Sequence, residues 1–147
     1  MAFNPYPPRN NGPRPAPKPA PEIKAIPLPE EYVDEAERVM RRLVANRTRI
    51  TTSKIRNLLS LVTDIYNVEN IRDAAELLPE SRNALTMMRI RTVYEAGREQ
   101  TVKEFIEEAK NLEYLKDIGT SREKLIHFAH YMEALVAYHR YLGGREV

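Results

Sequence analysis

Between positions 38 and 63 the chain carries seven cations, Arg38, Arg41, Arg42, Arg47, Arg49, Lys54 and Arg56, with no Asp or Glu among them until Asp64. The whole chain of 147 residues has a formal net charge of only +2, so this charge is concentrated rather than spread. A single-sign field of that density attracts polyanions and can neutralise phosphates. An ordinary solvated helix face would interleave acids, so a nucleic-acid contact is the chemistry this run suggests first. Other chemistry has little to build on. His127, His130 and Glu133 recur at intervals of three, which could offer two or three metal ligands. A closed site needs a fourth ligand and supporting hydrogen bonds, and the same spacing equally serves amphipathic packing. Neither a metal nor any other cofactor is therefore expected. There is no cysteine, which excludes disulfides and thiolate chemistry. Four serines, Ser53, Ser60, Ser81 and Ser121, fall in no nucleophile elbow, and no Gly-rich phosphate loop is present. No enzymatic activity is expected.

The elements that must position these cations read as helices. Ten of the eleven prolines lie within residues 1–29. The alternation of Pro13, Pro15, Pro17, Pro19 and Pro21 favours an extended polyproline conformation in a disordered tail. That tail, at +3, would act as a solubilising extension or a weak tether. From residue 30 to 144 the apolar spacing is helical. Helix one is expected over about 30–45, with Val33, Ala36, Met40, Leu43 and Val44 inward. Its acidic first turn and basic later turns match the helix dipole, which accounts for part of the arginine enrichment. Helix two is expected over about 52–66, capped by Thr51 or Thr52. Its apolar residues, from Ile55 to Tyr66, cover more than half its circumference, which predicts the most buried helix. A short helix over about 69–78 would end at Pro79, and a helix over about 80–97 would follow, with Met87, Ile90, Val93, Tyr94 and Gly97 inward. Thr101 with Glu104 and Thr120 with Glu123 form capping boxes that open helices to about 117 and about 142, closed by Gly119 and by Gly143–Gly144. Residues 145–147 are a C-terminal tail. The fold class is all-α, a compact bundle of five or six helices. No apolar run is long enough to span a membrane, and no signal-peptide core is apparent; a cytoplasmic protein is expected.

Three stretches carry a family resemblance: TTSKIRNLLSL at 51–61, RIRTVYEAGRE at 89–99 and YMEALVAYHRYLGG at 131–144. In this combination and order the chain resembles the small subunit of the type III-A CRISPR effector, the Csm complex, over roughly residues 30–144. The resemblance implies a small helical bundle without a catalytic centre. It also implies that several copies stack head-to-tail as an inner filament, facing the CRISPR guide RNA and the complementary target RNA. The implied partners are the large subunit, the repeating backbone subunit, the distal cap subunit and further copies of the chain itself.

The residues add their own support. Lys54 and Arg56 stand in the first turn of helix two, where free backbone N–H groups favour anions. Arg47 and Arg49 lie in the loop before it. Arg91 and Arg98 are seven apart and share one face of the fourth helix, opposite Arg82 and Arg89. These six, Arg47, Arg49, Lys54, Arg56, Arg91 and Arg98, are the expected RNA-binding set. Pairing of Arg91 with Glu95 and core packing of Tyr94 are the structural alternatives. Backbone contacts of this kind carry no sequence information, as suits a subunit that must accept any guide. The competing possibility is a helical interaction protein whose basic face docks an acidic partner, with RNA incidental. Arg41 and Arg42 would then meet Glu104, Glu107 and Glu108 of the next copy.

Overall fold

The computed structural model describes residues 22–147 and, before them, residues 3, 5, 11–13 and 16. Most of the proline alternation, including Pro15, Pro17, Pro19 and Pro21, lies outside the described residues. Six helices follow: α1 (Tyr32–Ala45), α2 (Thr52–Glu69), α3 (Pro79–Arg98), α4 (Gln100–Glu108), α5 (Asn111–Ile118) and α6 (Arg122–Tyr141). Among the described residues the only β pairing is a single antiparallel bridge between Glu76 and Ser121. The chain is all-α.

The helix that buries the most residues is α6, not α2. Leu125, Phe128, Ala129, Tyr131, Met132, Leu135 and His139 of α6 are all buried, and α6 packs against α1, α2 and α5. Helix α2 buries Ile55, Leu58, Val62 and Ile65, while Leu59, Leu61 and Tyr66 stay partly exposed. Its apolar arc is wider than the surface α6 and α3 offer it. The end of the segment expected to be a free tail is packed: Ile23, Ile26 and Leu28 lie against the core. The Ile26 N–H donates to the Glu113 carbonyl at 3.2 Å, and Lys116 Nζ donates to the Ile23 carbonyl at 2.9 Å.

One expected helix is absent and another is split. Residues 70–78 form no helix. Helix α2 continues to Glu69, where Arg122 donates to the carbonyls of Glu69 at 2.7 Å and Asn70 at 3.2 Å. The buried Glu69 carboxylate then accepts from Arg72 at 2.6 Å and from the Leu78 N–H at 2.9 Å. Pro79 disfavours helical dihedrals at Leu78, which is extended at φ −59°, ψ 151°. The chain between crosses to α6, with the Leu77 N–H on Thr120 O at 2.9 Å and the Arg122 N–H on Ala75 O at 3.1 Å.

The helix expected from 101 to 117 is broken into α4 and α5. Lys110 takes a left-handed φ of 50°, and the Tyr131 hydroxyl donates to the Ala109 carbonyl at 2.8 Å, replacing an intrahelical partner. Of the two capping boxes, neither closes as expected. Glu99, not Thr101, is the N-cap residue of α4. Ser121, one residue after Thr120, caps α6 by accepting from the Lys124 N–H at 3.2 Å. Thr51 caps α2 as expected, accepting from the Lys54 N–H at 3.3 Å.

Helix α3 reverses its expected orientation. Its inward residues are Ser81, Leu85, Met88, Thr92 and Ala96. Met87, Ile90 and Tyr94, expected inside, are 63%, 57% and 62% exposed, and Val93 is exposed with them. The helix is apolar on two opposite sides, and Thr92 sits in the core because its hydroxyl donates to the Met88 carbonyl at 2.8 Å.

Candidate nucleic-acid interface

Lys54 on α2 and Arg91 and Arg98 on α3 come together along one groove of about 490 Å³ between these helices and the start of α4. Asn57 and Ser60 line it from α2; both lie in the first of the three family blocks but are uncharged, so they stand outside the expected cationic set. Lys54 pairs with Glu99 across the groove. This contact holds the Glu99 carboxyl below the usual carboxylate range against the opposing cost of desolvation. Glu95 lies 3.4 Å from Arg91 and 3.8 Å from Arg98. The groove thus holds three cations against two carboxylates. The arginine contacts are long and exposed, and such pairs contribute about 0–1 kcal/mol, so both guanidiniums keep donors available.

The other three expected residues do not line this groove. Arg47 and Arg49 are exposed in the α1–α2 loop, Arg47 at a positive φ of 56°. Neither has an acidic partner among the described residues. Arg56 lies 3.5 Å from Glu146. The free N–H groups expected at the start of α2 are in fact occupied. The Thr52 N–H donates to the Arg145 carbonyl at 2.7 Å and the Ser53 N–H to the Glu146 carbonyl at 3.0 Å. The C-terminal residues therefore cap this helix, and its dipole is not open to a ligand there.

His139 forms the seat beneath this strap. It is buried, its Nε2 donates to the Ile50 carbonyl at 3.1 Å, and its Nδ1 lies 2.7 Å from Thr52 Oγ1. Burial pushes its pKa below the ordinary histidine value, against the Ile50 hydrogen bond. Gly144 packs so closely on the ring that a Cβ would lie 2.2–2.4 Å from its atoms. His130 is held between the hydroxyls of Tyr32 and Tyr66, each at 3.3 Å, and His127 stacks on Tyr32. Among the described residues no group of three or more His, Cys, Asp or Glu side chains could hold a metal ion.

Of the residues considered for contacts between copies, Arg41 pairs with Glu37 at 2.7 Å and Arg42 with Glu108 at 2.7 Å, both within the chain. Glu104 and Glu107 have no cation at ion-pair distance among the described residues. Together with Glu108 they line a separate acidic depression beside Leu43 and Thr48.

The three sequence blocks that carry the resemblance meet in space. The first and second face each other across the groove through Lys54 and Glu99. The third supplies His139 beneath the α2 N-terminus. The family model for Csm2 of type III-A systems matches residues 28–145. A Streptococcus thermophilus protein named CRISPR system Cms protein Csm2 is 44% identical over 125 residues, covering 83% of this chain and 99% of that protein. A Mycobacterium tuberculosis H37Rv protein of the same name is 39% identical over 122 residues, covering 81% and 97%. One from Enterococcus italicus is 34% identical over 95 residues, covering 63% and 67%. The chain belongs to the Csm2 family, the small subunit of the type III-A CRISPR Csm complex.

Proposed function

We propose that this small subunit has no catalytic role and binds the CRISPR guide RNA and the guide–target RNA duplex without regard to sequence. The observation that carries this reading is the convergence of Lys54 with Arg91 and Arg98, which lie on a different helix some forty residues on in the chain, on one groove. Unpaired Arg47 and Arg49 would extend the contact as the strand leaves the groove. Arg56 would join them by exchanging Glu146 for phosphate. Such contacts hold a backbone in place while base pairing reads the sequence. In the assembled effector, which we place in the cytoplasm, copies of the chain would stack head-to-tail beside the large, backbone and distal cap subunits. The open carboxylates of Glu104 and Glu107 are suited to receive a cation of the next copy. The test is purification of the complex from its host with nuclease treatment. Recovery of a protected RNA bearing a repeat-derived 5′ tag, lost when Lys54, Arg91 and Arg98 are changed together, supports the reading. An unchanged yield of that RNA from the triple variant contradicts it.

A further inference from the structure

The outward side of α3 is not used by the core, and it has the composition of a surface for unpaired nucleotides. At 3.6 residues per turn, Met87, Ile90 and Tyr94 form a central apolar strip. Arg91 and Arg98 run along one edge of it, and on the other side exposed Val93 extends the apolar surface towards Arg82 and Arg89. Arg82 and Arg89 are exposed and have no acidic partner among the described residues. The strip borders a depression of about 430 Å³ lined by Leu61, Ala84, Met87, Ile90, Arg91 and Tyr94, larger than one nucleobase. Leu61 and Arg91 also line the cationic groove, so the two are continuous. A phosphate on Arg91 would bring its neighbouring base over this apolar floor.

We infer that Tyr94 is a stacking platform for an unpaired base, so that α3 holds a single-stranded stretch of RNA as well as backbone. This rests on the RNA-binding reading above and goes beyond it, because a contact made only to phosphates gives no role to the base faces that a single strand exposes. Bases in a duplex have their faces covered by their neighbours and offer Tyr94 nothing to stack on. A single strand exposes them, and base–aromatic stacking is tolerant of sequence. Charge favours RNA over a protein as the occupant. An apolar strip bordered on both sides by arginines suits a ligand that alternates flat apolar groups with phosphates.

The experiment measures binding of the full chain to a 20-nucleotide oligouridine and to a blunt RNA duplex of that length, by fluorescence anisotropy over a salt series. Tyr94 lies outside the core, so Tyr94→Ala is expected to keep the wild-type melting temperature. Tyr94→Ala is expected to weaken single-strand binding about tenfold or more, with the salt slope and the duplex affinity unchanged. Tyr94→Phe restores single-strand binding. Wild-type affinity of Tyr94→Ala for the single strand, or an equal loss for both RNAs, overturns the inference. If Tyr94→Ala binds RNA normally but the chain's association with other copies or subunits is lost in sedimentation, the strip is a protein dock and the inference is overturned. If Arg91→Gln with Arg98→Gln weakens both RNAs while Tyr94→Ala weakens neither, the RNA-binding reading survives and this inference does not. If the wild-type chain binds neither RNA, both fall.

Discussion

His139 and Gly144 show how a single pair of residues ties the end of the chain to the start of α2. Because burial lowers the folded-state pKa of His139 below 6.5, the unfolded chain takes up the proton first. The stability this neutral ring contributes is therefore complete above about pH 6.5 and declines as pH falls below that value. Thermal melts from pH 8 to pH 5 should show a fall in Tm that is shallower in His139→Gln. Gly144→Ala would drive a Cβ into the imidazole, whose two nitrogens are already held by Ile50 and Thr52. Overpacking of this kind costs about 1–3 kcal/mol, readable as a lower urea midpoint and faster amide exchange at Thr52 and Ser53. Neither effect was legible in the sequence. There the His–Tyr-rich helix pointed to packing in general terms, while the contact from Ile50 to His139 joins positions 89 apart.

At the scale of elements, the helices that carry clear periodicity and a single apolar face were readable: α1, α2 and α6 stand close to their expected spans. What failed depended on tertiary partners. The segment 70–78 has helical spacing at Ile71, Ala74, Ala75 and Leu78, yet Ile71 is 86% exposed. Buried Glu69 diverts the chain by taking up Arg72 and the Leu78 N–H. Burial alone would raise the Glu69 pKa, but hydrogen bonds from Ser81, Leu78 and Arg72 outweigh it and hold the carboxyl below its ordinary value. Glu69→Ala should therefore cost about 3 kcal/mol, seen in urea unfolding, and should loosen the 70–78 connection to α6 in hydrogen exchange. Because the folded pKa is lowered, Glu69 stabilises the fold above the unfolded value of about 4.5, and this contribution is lost as pH falls through the lower folded value. On α3 the expected inward stripe of Met87, Ile90, Val93 and Tyr94 faces outward, while Leu85, Met88 and Ala96 on the opposite side meet the core; nothing local to the helix decides which side meets α2, α4 and α5. Leu135→Ala in α6, by contrast, removes a side chain at the centre of the bundle and should cost about 2–5 kcal/mol in the same unfolding measurement.

For the whole molecule, the basic run that stands out in the sequence divides by position once folded. Arg38, Arg41 and Arg42 on α1 are committed to Glu35, Glu37 and Glu108. Arg47 and Arg49 stay open in the loop, and Lys54 joins Arg91 and Arg98 across the α2–α3 groove. The family was legible because each of its three blocks is an unbroken stretch of sequence. The groove they build was only partly so, since Asn57, Ser60 and the acids Glu95 and Glu99 acquire their place from packing between helices. The central claim, that this groove seats RNA through its backbone, is tested most directly by the salt dependence of RNA affinity in the full chain and in Arg91→Gln with Arg98→Gln. Two lost phosphate contacts should weaken single-strand and duplex binding and reduce the log–log slope by about 1.4–1.8. A double variant with the affinity and slope of the wild type would contradict the account.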